Sequence, residues 1–463
     1  MSGPSDLAEL LGPEAVVTRD QDLEAYARDW SASALLAARL KRRAQLPLCV
    51  ARPRSEAQVS DLLRWAHDTR TPVVPFGGGS SVVRGIEPSG AVVVDLRSLD
   101  EVEEVDETSL LVTVGAGAMG PDLGSALGER GFRLGHEPQS VMLSTVGGWL
   151  ATRACGQLSA RFGGIENLVA GLRAVLPGGR VVVARPVPRS SVGPDLKHLL
   201  IGSEGALAII TEATLRIEEI PAGRASVALR FDHMSDGVSA SRRLAQSELH
   251  PTIVRLYDGD DSMLLTRHLD SPPQGCVLLL SFEGARAADR CDESVSLCRG
   301  ESLGEELVEH WWTHRNDAVD EYRNLMAGKG LLGPHALIDT MEVAGTWSGL
   351  RGLYHSMKEE LRSVAHLAGC HLSHVYSDGA CLYFTLASAC ADDDDALATY
   401  ERWWSTGMAA CLAAGGSISH HHGIGRLRAR WLPEALDGFW EVLTAVKKSV
   451  DPHGIMNPGV LGL

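Results

Sequence analysis

The segment PFGGGSSVVRG, Pro75 to Gly85, constrains this chain more than any other stretch. Three consecutive glycines follow a strand-like TPVVPF run. They remove Cβ atoms where the backbone must approach something closely, and they let N–H groups turn toward an anion. Gly77, Gly78 and Gly79 form the cradle, and Ser80 and Ser81 can add hydroxyl donors. No Lys-Ser/Thr follows, so this is not a P-loop, and the spacing is not the G-x-G-x-x-G that opens a dinucleotide-binding helix. A tight turn would use the same residues. Support comes from two further clusters of small and hydroxylated residues, GHEPQSVMLSTVGGWLATRACGQ (Gly135 to Gln157) and IGSEGALAIITEATLRI, in which Gly202 and Gly205 flank Ser203 and Glu204. Three clusters at intervals of about sixty residues imply one long, thin ligand threaded through the N-terminal half, and a dinucleotide has that shape.

At 463 residues the chain is too long for one simple core, and two domains are expected. A formal net charge of -16 excludes a nucleic-acid partner, which needs clustered Lys and Arg, and disfavours docking on an anionic membrane. The N-terminus MSGPSDLAEL lacks the basic and apolar regions of a secretory signal, and no apolar run is long enough to span a bilayer. The nine cysteines form no C-x-x-C pair, which fits reduced thiols in a cytoplasmic protein.

The N-terminal half reads as alternating short strands and helices. LCVARP, TPVVPF, AVVVDL and SLLVTVGAG are strands, and EAQVSDLLRWAHD carries Val59, Leu62, Leu63 and Trp65 at helical spacing. AVLPGGRVVVA reads as a hairpin turning at Pro-Gly-Gly, and residues 205–217 as a long β-rich run. Beyond EEIPAG the texture changes to a strand–helix sheet domain built from ASVALRF, TIVRLYD, CVLLLSFEG, LIDTMEV and HLSHVYSDGACLYFTLA. The acidic run at 392–395 reads as a helix start, where carboxylates favour the first turn.

PFGGGSSV, GSEGALAIITEATL and DPHGIMNPG together resemble the FAD-binding vanillyl-alcohol oxidase (PCMH-type) superfamily. LGHEPQSVMLSTVGGWLATRACGQLSARFGGIENLV, TIVRLYD, DGACLYF and GGSISHHHGIGRLRARWL narrow the resemblance to the alkylglycerone-phosphate (alkyl-dihydroxyacetonephosphate) synthases, from about residue 45 to the end. The resemblance implies an α+β architecture. A two-subdomain PCMH-type FAD-binding domain occupies 1–218, and an α/β cap domain built on an antiparallel sheet occupies 219–414. A C-terminal segment, 415–463, carries the histidine run and returns to the FAD domain. It also implies that Pro75, Phe76, Gly77, Gly78, Gly79, Ser80 and Ser81 wrap the FAD pyrophosphate. Gln139, Ser140, Ser144, Thr145 and Gly148 would contact the rest of the cofactor, with Thr152, Arg153 and Cys155. Glu204, Gly205, Ile209 and Ile210 complete that set. The glycine loop holds no histidine, so the FAD is expected to be non-covalent.

In that family an acylated dihydroxyacetone phosphate loses a proton, flavin N5 traps it as an adduct, and a long-chain alcohol replaces the fatty acid. Tyr383 matches the proton-abstracting tyrosine, a role that asks for a depressed pKa or a nearby cation. His421 and His422, beside His420, match an essential histidine pair, His136 another active-site histidine, and Arg255 a required arginine suited to clamping an anion. Read from the residues alone, three adjacent histidines are a metal site, a proton-handling site or a His-rich turn. Neighbours on an extended segment point to opposite faces, and no carboxylate or cysteine lies beside them, so no metal site is expected.

Two departures limit the transfer. The family's phosphate-binding arginine, upstream of MEVAGTW, falls here on LMAGKG, where Lys329 offers only a point charge. A longer, partly apolar insertion in the family shrinks here to the connector SPPQG. The substrate is accordingly lipid-like or a smaller soluble molecule. The alternatives are an FAD-linked oxidase or dehydrogenase of a small hydroxy acid, alcohol or specialised metabolite, in which flavin N5 accepts hydride, and a catalytically silent FAD protein. A homodimer is expected from the resemblance.

Overall fold

A computed structural model describes residues 3–329 and 332–463. The chain divides into two compact units. Unit 1 comprises Met1–Ala154, Gly164–Glu219 and His421–Leu463, and unit 2 comprises Cys155–Gly163 and Ile220–His420. This division places residues 155–163 and 415–420 with the second unit. Leu158 is buried in a core with Ile253, Tyr257, Val277 and Leu279, and Ser417 bridges to Ala344.

Unit 1 opens with a four-stranded sheet in the order β1-β2-β4-β3, made of β1 (Val16–Val17), β2 (Cys49–Ala51), β3 (Val73–Phe76) and β4 (Val92–Asp95). Strands β2, β3 and β4 pair in parallel. Both faces are covered, as parallel sheets require, which is why these strands read as unbroken apolar runs. On one face lies α1 (Glu56–Thr69), whose Val59, Leu62, Leu63 and Ala66 are fully buried against Ala51, Val92 and Val94. Ser55 caps its start by accepting from the Gln58 N–H, and Arg70 ends it in the left-handed region. The other face packs Val50, Val74 and Val93 against Tyr26 and Phe76. The C-terminal tail returns to β3, where the Val73 N–H donates to the Ile455 carbonyl and the Asn457 N–H to Val73.

The second sheet of unit 1 is antiparallel, in the order β5-β6-β9-β7-β8. Its strands are β5 (Val102–Asp106), β6 (Leu111–Gly115), β7 (Val169–Val175), β8 (Val181–Ala184) and β9 (Ile209–Arg216). The expected hairpin at Pro-Gly-Gly joins β7 to β8. The run expected as strand over 205–217 starts only at Ile209, because Gly202, Glu204 and Gly205 all take positive φ and make a turn.

Unit 2 is built on a seven-stranded antiparallel sheet, β13-β10-β12-β11-β15-β16-β14. In chain order these are β10 (Arg224–Phe231), β11 (Ile253–Tyr257), β12 (Cys276–Glu283), β13 (Glu301–Gly304), β14 (Ala336–Thr346), β15 (Leu367–Val375) and β16 (Gly379–Ala389). All eight residues of β12 are buried, as its central place demands. The acidic run is a helix start as read: Asp392 caps the helix Asp393–Ala413 by accepting from the Asp395 N–H, and Trp403 and Trp404 of that helix are buried. Burying a large apolar side chain contributes about 1.5–3 kcal/mol. Among the described residues no helix is long and apolar enough to cross a membrane.

The register of this sheet sets one row of side chains. Tyr257 on β11 lies opposite His371 on β15, His371 opposite Tyr383 on β16, and Tyr383 opposite Glu342 on β14. A register shift between Ser373 and Val375 leaves His374 at φ 50°, a bulge that re-aims its ring.

Candidate active site

In unit 1 the three small-residue clusters meet. A Cβ on Gly77 would overlap the Thr145 hydroxyl, and one on Gly78 would sit on the Leu143 carbonyl. A Cβ on Gly205 would come within 2.8 Å of the Pro75 ring. The glycine loop is therefore closed by the second and third clusters, and only glycine permits that approach. Thr145 caps the helix Val146–Thr152 by accepting from the Gly148 N–H, and Thr152 bonds back to the Gly148 carbonyl. Several hydroxyls are already committed: Ser81 donates to Asp29, which also accepts from the Gly85 N–H, and Ser144 donates to the Ser140 carbonyl and accepts from Trp149. Gln139 and Arg153 are exposed, Arg153 donating to Glu166, while Ile209 and Ile210 are buried.

His136 is the polar side chain that stands out in this unit. It is 2% exposed, packs edge-on against Trp149 at 5.0 Å, and neither ring nitrogen has a partner among the described residues. Burial pulls its pKa down to about 3, so the ring is neutral. An orphaned buried polar atom costs about 1–3 kcal/mol, which a bound ligand recovers. A loop that excludes Cβ atoms and a buried imidazole without partners both fit an FAD held by this unit.

Glu204 has a different task from cofactor contact alone. Its carboxylate accepts from the Ile424 and Gly425 N–H groups and anchors the turn directly after the histidine run. Burial pushes it up to about 7, against the pull of those N–H groups and of Arg428. The histidine run itself is divided. His421 and His422 belong to unit 1, partly exposed and edge-to-face at 4.4 Å, whereas His420 belongs to unit 2.

His420 joins a polar cluster that the sequence does not reveal. Its Nε2 shares a 2.9 Å hydrogen bond with the Tyr376 hydroxyl, and its ring stacks on His374 at 4.9 Å. His374 bonds Ser159 at 2.6 Å, and Cys155 lies 3.4 Å from the Tyr376 hydroxyl. Ligand-type atoms of Cys155, His374 and His420 fall within 4.8 Å of one another. The expectation that no cysteine lies near the run is corrected: Cys155 reaches it because residues 155–163 pack into unit 2. Both imidazoles, however, already hold hydroxyl partners. Cys155 is thus assigned to unit 2, whereas the glycine-loop residues belong to unit 1.

Elsewhere in unit 2, Arg255 on β11 is half-buried. Its Nε donates to the Tyr257 hydroxyl at 3.0 Å and its Nη2 to His371 Nε2 at 2.8 Å, while Trp311 lies 5.3 Å from the guanidinium carbon. His371 Nδ1 meets the Asp261 carboxylate at 2.8 Å. Among the described residues no carboxylate pairs with Arg255, so its charge is available to an incoming anion. Tyr383 stacks on His371 at 4.8 Å and donates to the Thr340 hydroxyl at 3.0 Å. Burial pushes the Tyr383 phenol up, with Glu342 and Asp339 adding to the shift and Arg255 only partly opposing it. Of the two aids that the role asks for, a depressed pKa or a nearby cation, Tyr383 has the cation: Arg255 pulls against a net upward shift. Lys329 is exposed just beyond the helix Ala318–Met326.

His371, Asp261, His374, Ser159 and Tyr376 escaped the sequence reading. The available signal was polar residues inside the apolar CHLSHVY run, but only strand register shows what they face.

Comparison with known proteins agrees with this arrangement. The family model "FAD linked oxidases, C-terminal domain" matches residues 220–461, and "FAD binding domain" matches residues 47–185. The chain is 32% identical over 439 residues to the uncharacterized FAD-linked oxidoreductase YgcU of Escherichia coli (strain K12), covering 90% of this chain and 89% of that one. It is 29% identical over 457 residues to the alkyldihydroxyacetonephosphate synthase of Dictyostelium discoideum, covering 89% of this chain and 72% of that one. A solved alkyldihydroxyacetonephosphate synthase superposes with a TM-score of 0.80 at 25% identity, covering 99% of this chain and 86% of that one. Together with the Cβ-free cradle, these matches show that the chain belongs to the FAD-linked oxidases and is an FAD-dependent enzyme.

Proposed function

We propose that this protein is a flavoenzyme of the alkyldihydroxyacetonephosphate synthase type, acting on a substrate that carries an oxyanion beside its reacting carbon. The observation that carries this reading is Arg255, a half-buried guanidinium braced by a phenol and an imidazole with no carboxylate partner among the described residues. A cation held in that way binds carboxylate or phosphate through charge-assisted hydrogen bonds.

FAD, held non-covalently by residues 75–81, 139–148 and 204–210, supplies an electrophilic ring nitrogen that can accept either a carbon nucleophile or a hydride. The chain's own residues do the rest. Arg255 binds the anion and fixes the substrate's orientation. Tyr383, protonated at rest, donates to a substrate oxygen, and can take a proton back when the charge of Arg255 outweighs burial. His421 and His422 are the bases for the alcohol or the substrate proton. His136 stays neutral and holds the cofactor.

The exposure of Lys329 favours a second reading. A lone guanidinium without the added charge of Lys329 suits the carboxylate of a small hydroxy acid, oxidised by hydride transfer, as well as a phosphate ester. The deciding experiment is an anaerobic visible spectrum of the purified protein. Bleaching by acyl-dihydroxyacetone phosphate that reverses on adding a long-chain alcohol, with release of fatty acid, supports the first reading. Full flavin reduction by a small hydroxy acid, reversed only by an electron acceptor, supports the second.

A further inference from the structure

The four groups Asp261, His371, Arg255 and Tyr383 make one connected unit whose bonding pattern has a definite direction. An arginine can only donate, so the bond from Arg255 Nη2 makes His371 Nε2 an acceptor. The ring proton of His371 is then on Nδ1, where it donates to Asp261. Asp261 is itself fixed: it is 5% exposed, its N–H donates to the Asp258 carboxylate, and a Cβ on Gly369 would overlap its Oδ1. His371 is 7% exposed and lies between two rings, Tyr257 at 5.1 Å and Tyr383 at 4.8 Å. It therefore cannot rotate without breaking two hydrogen bonds and two ring contacts.

The consequence for Arg255 follows from counting donors. A guanidinium has five N–H groups. Tyr257 takes the Nε–H and His371 takes one on Nη2. Both N–H groups of Nη1 and the second on Nη2 have no partner among the described residues, and these form the end-on fork that receives an oxyanion through two parallel bonds. Without an acceptor at His371 Nε2, the guanidinium plane could turn about its flexible stem.

We propose that Asp261 and His371 are positioning residues that hold Arg255 as a preorganised two-bond receptor for a carboxylate or phosphate and, through the ring stack, keep Tyr383 beside that receptor. This rests on the reading of Arg255 as the anion anchor. The neutral acceptor matters: a carboxylate in direct contact with Arg255 would cancel the charge the substrate needs, whereas an imidazole inserted between Asp261 and Arg255 orients the cation and leaves its charge uncompensated at contact distance.

The test is calorimetric titration of the FAD-loaded protein with inorganic phosphate and, separately, with acetate. Wild type, Arg255→Ala, His371→Phe, His371→Gln and Asp261→Asn are compared, with flavin content and melting temperature recorded for each. Phenylalanine keeps the ring stack and removes the acceptor; glutamine restores an acceptor. The expected result is saturable binding of one or both anions by wild type and none by Arg255→Ala. Loss of one charge-assisted bond in His371→Phe or Asp261→Asn weakens binding about tenfold. His371→Gln recovers part of that loss, and His371→Phe adds nothing to Arg255→Ala. Tighter binding of phosphate or of acetate identifies which oxyanion the receptor takes. Anion binding by His371→Phe and Asp261→Asn equal to wild type, with Arg255→Ala inactive, overturns the positioning role and leaves Arg255 as the anchor. No difference between wild type and Arg255→Ala overturns the anchor, and the positioning proposal with it. If His371→Phe loses flavin or melts early, the isosteric Asp261→Asn decides.

Discussion

The glycine cradle of unit 1 and the Arg255 network of unit 2 solve the problem of ligand binding in opposite ways. The cradle works by removal: Gly77, Gly78 and Gly205 leave no room for a Cβ beside the Thr145 hydroxyl, the Leu143 carbonyl and the Pro75 ring, and His136 is buried with no partner among the described residues. The Arg255 network works by completion, because His371, also buried and also pushed below its ordinary pKa, has both nitrogens engaged. One region leaves a buried polar group without a partner among the described residues. The other is satisfied in advance and withholds a single charge for a small ligand.

The largest break in this contrast is expected at the cradle. Gly78→Ala drives a methyl into the Leu143 carbonyl. Overpacking of that kind costs about 1–3 kcal/mol, so FAD affinity falls about tenfold or more, read as flavin absorbance per chain after desalting. Retention of full flavin would show that the loop does not touch the cofactor. In unit 2, Arg255→Ala leaves the fold and flavin content intact but lowers kcat/KM about a hundredfold, the worth of a charge-assisted pair at the upper end of its range. Arg255→Lys restores charge without the fork and recovers only part.

A smaller effect separates the two buried histidines by pH. The folded-state pKa of His136 is about 3, below the 6.5 of an exposed histidine. The unfolded chain therefore binds more protons between those values, so stability is full above about pH 6.5 and is lost as pH falls toward 3. His136→Phe removes this dependence and flattens the melting temperature across pH 7 to 4.5 by a few degrees relative to wild type. An unchanged slope would assign the acid sensitivity to other groups. The smallest effect is expected at Lys329, which is exposed: Lys329→Ala keeps kcat/KM within about twofold, as for a surface substitution. A loss above tenfold would restore Lys329 as a substrate contact and favour a phosphorylated substrate.

Much of the FAD-binding unit was legible in the sequence. Glycines mark close backbone approach wherever they fall, and Gly77 to Gly79 needed only a strand before them to read as a cradle. Tyr383, Arg255 and His420 to His422 were legible through long motif resemblance. His371 and Asp261 were not, because 110 residues separate them and their meaning lies in the pairing of strands β11, β15 and β16. Nor was the pKa of Tyr383, since burial of a hydroxyl depends on what the finished sheet packs over it.

By itself the sequence determined the local elements and the kind of chemistry: short apolar strands, a helix start at Asp392, a glycine loop suited to close backbone approach, and, through motif resemblance, Arg255 and Tyr383. The tertiary structure alone decided the partners. It carried Cys155 into unit 2, turned Glu204 toward the Ile424 and Gly425 N–H groups, and set an imidazole between Asp261 and Arg255. The physical reason is that hydrogen bonding and desolvation act over a few ångströms of space, and strand register, not spacing along the chain, sets those distances.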